Sequence, residues 1–133
     1  MADPVIIDTD ILIDAGRDID EATDCLLEIE RKTSPAVSVI TYMELIVGCR
    51  DNKELRELDR FIARFQVIRL NNRISDIASA LLHSYRLSHG LYIPDALIAA
   101  TAIFLEYPFV SKNQRDYRSI QELNLLAYPN PLL

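Results

Sequence analysis

The stretch Val5-Ile6-Ile7-Asp8-Thr9-Asp10-Ile11-Leu12-Ile13-Asp14 decides the fold of this chain. Its first three residues are apolar and β-branched, a run typical of a strand buried in a parallel sheet. The run ends at Asp8, and a carboxylate at the carboxyl end of a buried strand lies where open α/β sheets bind their ligands. Because an unpaired buried carboxylate is costly, a cation, hydrogen-bond donors or solvent must meet it. We interpret Asp8 as the first of several acids that gather around a divalent metal ion.

Downstream, short apolar runs alternate with segments of helical periodicity, which predicts an α/β fold with a mainly parallel sheet. The predicted strands are Val5–Asp8, Ala36–Ile40, Gln66–Leu70, Phe109–Ser111 and Leu125–Tyr128. The predicted helices are Ile11–Ala15, Ile19–Lys32, Thr41–Val47, Asn52–Phe65, Arg73–His89 and Ile93–Glu106, followed by a polar loop at Lys112–Asp116 and a helical turn at Tyr117–Glu122. The chain has 133 residues with no evident repeat or linker, so we expect one domain over residues 1–133.

The composition limits the classes of function. Half of the residues are hydrophobic, and the formal net charge is -6. This charge argues against a protein that holds nucleic acid by bulk electrostatics. It is compatible with an enzyme that meets nucleic acid through bound cations and a local basic face. Neither a signal peptide nor a membrane span is visible in the sequence, so we expect a cytoplasmic protein.

Four carboxylates stand at element boundaries: Asp8, Glu44, Asp95 and Asp116. In a parallel sheet with right-handed crossovers, the carboxyl ends of the strands lie along one edge. Three of the acids follow predicted strands, and the fourth can join them if its helix begins at that edge. Several carboxylates raise one another's pKa unless a cation joins them. Oxygen ligands of this kind suit Mg²⁺.

Each acid also has a purely structural interpretation. Glu44 has the spacing to complete a capping box with Thr41. Asp95 favours the positive end of its helix dipole. Asp116 fits a turn or cap residue paired with Asn113. Asp8 is the hardest to explain in this way, since it ends an apolar strand.

Four segments resemble the motifs of PIN-domain ribonucleases, and most of all those of the VapC-type toxins of toxin–antitoxin modules. The segments are the opening stretch, Ser38-Val39-Ile40-Thr41-Tyr42-Met43-Glu44-Leu45 with Gly48, Ile93-Pro94-Asp95-Ala96-Leu97-Ile98-Ala99-Ala100-Thr101-Ala102, and Ser111-Lys112-Asn113-Gln114-Arg115-Asp116-Tyr117. They occur in the family's order and span nearly the whole chain. The resemblance implies a PIN-like three-layer α/β/α sandwich around a mainly parallel sheet of four to five strands.

The resemblance also implies an activity and roles for the acids. The expected activity is endoribonucleolytic hydrolysis of phosphodiester bonds with Mg²⁺ or Mn²⁺. The expected catalytic acids are Asp8, Glu44, Asp95 and Asp116. Of these, Asp8, Asp95 and Asp116 would hold the metal ion. Thr9 and Asn113 resemble the polar residues that support the site. Asp10 is open to three interpretations: a ligand, a supporting residue, or the N-cap of the helix at Ile11–Ala15.

Partners follow from the same resemblance. Family members usually form homodimers and are silenced by an antitoxin protein that covers the site. RNA is the expected substrate, and its flanking phosphates have candidate contacts at Lys53, Arg56, Arg60, Lys112 and Arg115. The helical members of this set alternate with acids, so a solvated helix face is the competing interpretation.

Two other functions are compatible with the residues. Asp8-Thr9-Asp10 imitates the strand end of haloacid-dehalogenase-like phosphatases, in which Asp8 would be a covalent nucleophile. The usual following residue and a late pair of aspartates are missing, which argues against this class. The other alternative is a PIN-like binding or regulatory module that uses its acids only to dock a basic peptide.

Overall fold

The computed structural model describes residues 3–133 of the chain. The strands in this range are β1 (Val5–Ile7), β2 (Pro35–Ser38), β3 (Gln66–Ile68), β4 (Phe109–Val110) and β5 (Leu125–Leu126). The helices are α1 (Thr9–Gly16), α2 (Asp20–Lys32), α3 (Val39–Val47), α4 (Asn52–Ile62), α5 (Asn72–His89), α6 (Ile93–Leu105) and α7 (Gln114–Tyr117).

The strands form one parallel sheet in the order β3-β2-β1-β4-β5. Strand β1 is central, with Ile6 opposite Ala36 of β2 and opposite Phe109 of β4. All five strands run in the same direction, so Asp8, Ser38 and Ser111 all lie at the carboxyl edge of the sheet. The prediction that these strand ends share one edge is confirmed.

Successive residues of the central strands face opposite sides of the sheet, and each side has its own core. Ile6 and Phe109 belong to one cluster, which packs against α5 and α6. Val5 and Ile7 belong to the other cluster, which packs against α1, α2 and α4. The sheet therefore lies between two helical layers, and the expected three-layer α/β/α architecture is confirmed.

The second strand ends earlier than its sequence predicts. The β-branched run Ala36–Ile40 predicts a strand, but the strand stops at Ser38 and α3 begins at Val39. The Ser38 hydroxyl accepts a hydrogen bond from the amide of Ile40 at 3.1 Å and so caps the helix. A good N-cap at the sheet edge outweighs the strand preference of the two residues after it.

The prediction of a Thr41–Glu44 capping box is wrong because Ser38, and not Thr41, caps α3. Thr41 lies inside the first turn of α3 rather than before it, and Glu44 falls in the second turn. Helix α1 likewise begins before its predicted start, at Thr9, with Asp8 as the N-cap. Asp10 is therefore a first-turn residue, and its interpretation as the N-cap is wrong.

The segment after β4 is also helical earlier than predicted. Residues Lys112–Asp116 were expected to form a loop, yet α7 begins at Gln114. Asn113 caps it by accepting a hydrogen bond from the amide of Asp116 at 3.3 Å. After α7, the segment Tyr117–Glu122 forms hydrogen-bonded turns, in which the amide of Ile120 donates to the carbonyl of Tyr117 at 3.0 Å, so the turn expected there is present. Across residues 3–133, no helix combines the length and the apolar character that crossing a membrane requires.

Gly90 ends α5 in the left-handed conformation at φ 69°. A Cβ added there would meet no atom within 4 Å, so only the backbone conformation opposes a side chain. Gly16, at the end of α1, also has open space but no positive φ.

We expect Gly90→Ala to lower the free energy of unfolding by about 1 kcal/mol. Gly16→Ala should be neutral or slightly stabilising. Urea unfolding of both variants tests this, and equal effects would contradict it.

Candidate active site

Asp8 is the most buried acid of the site, with 5% of its surface exposed. Its Oδ1 accepts a hydrogen bond from the amide of Thr9 at 2.9 Å, and its Oδ2 accepts one from the hydroxyl of Ser111 at 2.7 Å. Burial raises the pKa of the Asp8 carboxyl from 3.8 to about 7 against the lowering effect of these bonds, and the charges of Asp10 and Asp95 raise it further. The folded chain thus holds a carboxylate whose charge it does not neutralise.

Ser111 is a supporting residue whose role the sequence analysis missed. It is fully buried just after β4, and it receives the amide of Asn113 at 2.9 Å while it donates to Asp8. The signal was available in the sequence: a serine at the end of a central strand falls beside the acid that ends the neighbouring strand.

Asp95 lies in the first turn of α6 and is half-buried. Its Oδ2 accepts a hydrogen bond from the amide of Tyr92 at 3.3 Å, so the structural interpretation of Asp95 as a helix-start residue is also correct. Its Oδ1 accepts one from the hydroxyl of Tyr117, also at 3.3 Å. Burial raises the pKa of Asp95, and the charges of Asp116 and Asp10 add to this.

Tyr117 is a second supporting residue that the sequence analysis did not assign. It is 1% exposed and packs edge-on against Phe109, with the ring centroids 4.9 Å apart. Burial, followed by the charges of Asp8 and Asp95, raises the pKa of its phenol well above the ordinary range, so the group stays protonated and donates. Only the fold brings this aromatic residue under α6, and its sequence position indicates core packing.

Glu44 is exposed and connects to the site through Thr9. The Thr9 hydroxyl donates to Glu44 Oε1 at 2.7 Å, and it lies 3.0 Å from the hydroxyl of Thr41. A hydroxyl has one proton, so Thr41 is the donor in the second bond. The fully buried Thr41 therefore orients Thr9, and Thr9 orients the carboxylate.

Asp116 is half-buried in α7, and its Oδ2 accepts a hydrogen bond from the side-chain amide of Asn113 at 2.7 Å. The expected pairing of Asn113 with Asp116 is confirmed. Asp10 is exposed, but its charge acts on both Asp8 and Asp95. Electrostatic coupling therefore links Asp8, Asp10, Asp95 and Asp116.

The candidate RNA contacts are all exposed: Lys53, Arg56, Arg60, Lys112 and Arg115. The ammonium of Lys112 forms an ion pair with Asp14 at 2.8 Å. This pair holds a positive charge one residue beyond Ser111, close to the sheet edge.

The donor set suits a hard dication. Each oxygen of Asp8 and of Asp95 accepts one hydrogen bond, which leaves each a further lone pair. No lysine or arginine in residues 3–133 forms an ion pair with either carboxylate. In the same range no three acidic, histidine or cysteine side chains form a ready-made metal cluster. Mg²⁺ keeps several waters and is usually held by one or two carboxylates, so this arrangement fits it.

Comparisons with known proteins agree with this architecture. The PIN domain family model matches residues 5–123. Ribonuclease VapC10 of Mycobacterium tuberculosis is 32% identical over 120 residues, which cover 90% of both chains. Ribonuclease VapC1 of Methanocaldococcus jannaschii is 28% identical over 93% of this chain and 86% of its own. A solved toxin–antitoxin complex from Klebsiella pneumoniae superposes with a TM-score of 0.78 at 27% identity, covering 96% of this chain and 99% of that one.

A parallel α/β/α sandwich with acids along its carboxyl edge is the architecture expected of the PIN class of nucleases. The family match spans most of the chain, and the chain therefore belongs to the PIN-domain family. Within that family it is a VapC-type ribonuclease. This membership overturns the alternative of a haloacid-dehalogenase-like phosphatase.

The unusual pKa of Asp8 makes stability depend on pH in the metal-free protein. Well below pH 3.8 the group is protonated in both the folded and the unfolded state. As the pH rises towards about 7, the unfolded chain ionises while the folded one resists, so the folded state loses stability. We expect Asp8→Asn to remove this loss and to be more stable than the wild type at about pH 8 by roughly 1–4 kcal/mol.

Urea unfolding in the presence of a chelator, repeated between about pH 4 and pH 8, measures this difference. Asp76→Asn, at an exposed position on α5, is the control and should follow the wild type. A stability difference between Asp8→Asn and the wild type that does not grow with pH would contradict the assignment.

Proposed function

We propose that the protein is an endoribonuclease that depends on Mg²⁺ or Mn²⁺ and acts as the toxin of a toxin–antitoxin pair. The observation that carries this proposal is the buried Asp8 carboxylate, with its pKa raised to about 7 and the charge of Asp95 acting on it. Structural acids of this kind are normally paired with a cationic side chain or a metal ion. Here hydrogen bonds orient the carboxylates, but no cationic side chain in residues 3–133 pairs with them.

Asp8 and Asp95 are the residues that would hold the ion directly. Asp116 would complete the set, since the side-chain amide of Asn113 orients its carboxylate. A bound dication supplies an acidified water as nucleophile and stabilises the charge that develops on the phosphate. The acids bind and orient, and none needs to attack the phosphate itself.

Glu44 has a different place in the proposal. It is exposed, and its carboxylate accepts a hydrogen bond from the hydroxyl of Thr9, the residue whose backbone amide is capped by Asp8. An oriented, solvated carboxylate suits an acid that accepts a proton from water. Thr41 acts through Thr9, so its contribution is to position Glu44.

The proposal also assigns a path for the RNA. An acidic protein can bind an anionic substrate where a bound cation makes the local charge positive. A dication at Asp8 would create such a place. Lys112 and Arg115 follow β4 at the same edge and would contact the neighbouring phosphates. Lys53, Arg56 and Arg60 form an exposed face of α4 that would extend this contact.

We further propose a cognate antitoxin protein and a homodimer as the resting assembly, in the cytoplasm. The support is the likeness to the Klebsiella pneumoniae protein, whose solved structure is a toxin–antitoxin complex. Exposed apolar side chains on α3 include Met43, Ile46 and Val47, the last 84% exposed. Such a patch is typical of a surface that another chain covers.

We expect Asp8→Asn and Asp95→Asn each to reduce metal-dependent cleavage of RNA by more than about 100-fold, since loss of even a supporting partner of a metal ligand costs roughly 10- to 100-fold. Both variants should remain folded, because Asn preserves the shape of the side chain. The measurement is cleavage of total RNA with and without Mn²⁺, together with calorimetric titration of Mn²⁺ into the metal-free protein. Asp76→Asn is again the control.

Full cleavage by either folded variant would refute the role of that residue. Absence of any Mn²⁺ binding by the wild type, with tight binding of a basic peptide instead, would favour a non-catalytic module over a metal-dependent nuclease.

Tyr117→Phe tests the support of Asp95. The change removes one hydroxyl and keeps the ring against Phe109, so the fold should be retained. We expect Mn²⁺ to bind about 10-fold more weakly, because Asp95 loses a partner that orients it. Saturating Mn²⁺ should restore most of the cleavage rate. An unchanged Mn²⁺ affinity would show that the hydroxyl has no part in the site.

A further inference from the structure

A cavity of about 740 Å³ lies between the second half of α5 and the start of α6. Its apolar surface comes from Leu82, Leu91 and Pro94, and its polar groups come from Ser79, His83 and Arg86. Tyr92 stands at its side and is 66% exposed. The volume and the mixture of an apolar surface with a few polar groups are typical of a site for a small organic group.

Arg86 and Tyr92 together form a preorganised flat surface. The Arg86 guanidinium lies 5.0 Å from the centre of the Tyr92 ring. Its Nη1 donates to the carbonyl oxygens of Gly90 at 2.9 Å and of Leu91 at 3.3 Å, which fixes the charged group in place. A fixed guanidinium over an exposed aromatic ring is suited to a planar ring bearing hydrogen-bonding edges and a nearby phosphate.

This cavity adjoins the acid site. The backbone amide of Tyr92 donates to Asp95 Oδ2, so the residue that contributes the exposed ring also holds the carboxylate in place. Only two residues lie between Tyr92 and Asp95 in the sequence. A nucleotide next to a phosphate at Asp95 can therefore direct its base towards Tyr92.

We propose that this cavity binds one base of single-stranded RNA, stacked on Tyr92, and so selects the nucleotide next to the cleaved bond. The proposal rests on the proposed ribonuclease function. The site belongs to a class that reads RNA by stacking unpaired bases on aromatic rings and arginine planes.

The charge of the cavity favours RNA over the other occupants. None of the residues that line it is acidic, and Arg86 brings a full positive charge in a chain whose net charge is -6. A basic peptide would meet a like charge here, whereas a phosphate next to the stacked base would meet an opposite one. The second copy of a homodimer is the remaining competitor, and the experiment separates it.

Tyr92→Ala should raise the KM for a short RNA substrate by about 5- to 100-fold with little change in kcat, since base stacking contributes to binding and not to chemistry. Tyr92→Phe keeps the ring and should behave as the wild type. Phe104→Ala is the matched control, because Phe104 is an exposed aromatic residue of the same helix, 38% exposed, at the end away from Asp95. Steady-state cleavage of a defined oligonucleotide gives both constants.

A binding experiment without catalysis supplies the second measurement. In a Glu44→Gln background, which keeps Asp8 and Asp95 to hold Mn²⁺, fluorescence anisotropy compares an intact oligonucleotide with versions that lack one base at each position in turn. One position should lose affinity on base removal, and Tyr92→Ala should abolish the difference at that position alone. Equal affinity at every position, or no effect of Tyr92→Ala, would overturn the proposal.

Analytical ultracentrifugation of Tyr92→Ala tests whether the cavity is instead occupied by the second copy of a homodimer. Dissociation of a dimer, with the KM change following the monomer fraction, would show that the cavity is an interface between copies and would overturn base binding. If the wild type neither cleaves nor binds RNA, the proposed function fails. If it does both and Tyr92→Ala is unaffected, only the base site fails.

Discussion

The structure depends on the burial of a carboxylate at the end of the central strand. Asp8 follows three fully buried residues, and the parallel neighbours of β1 leave it almost no solvent. The amide of Thr9 and the hydroxyl of Ser111 satisfy its oxygens but do not supply a positive charge. Burial therefore raises its pKa to about 7. The folded chain therefore disfavours the ionised form of Asp8, and a carboxyl group with such a shifted pKa is common at functional sites.

Other residues are organised around the same edge by short polar relays. Thr41 acts on Glu44 through Thr9, while Asn113 acts on Asp8 through Ser111 and on Asp116 directly. Each of these chains of hydrogen bonds starts at a buried side chain or at the N-cap of a helix and ends at a carboxylate. Side chains held in this way lose little entropy when a ligand arrives, so the site is oriented before it binds anything. Tyr92 also has two roles, because its amide donates a hydrogen bond to Asp95 and its ring faces the neighbouring cavity.

Much of the fold could be predicted from local patterns. Buried β-branched runs predicted the strands, and their alternation with amphipathic segments predicted a parallel sheet. The structure confirms both predictions. The errors fall at boundaries, where two local preferences compete. Val39 and Ile40 favour a strand, yet the Ser38 cap places them in α3. Asn113 likewise begins α7 inside a segment that is polar enough to be a loop. In each case a single hydrogen bond to a capping side chain decides the outcome, and composition does not reveal which cap will be used.

The sequence by itself determined the strand that ends in Asp8, the acids at element boundaries and the family, because all of these are encoded by residue type and order. Only the tertiary structure decided which polar groups meet the acids. Ser111 reaches Asp8 across 103 positions, and Tyr117 reaches Asp95 across 22. The cavity beside Tyr92 also exists only where α5 and α6 pack together. These contacts join residues that are distant along the chain, so they depend on the register of the sheet and on helix packing, which no local pattern records.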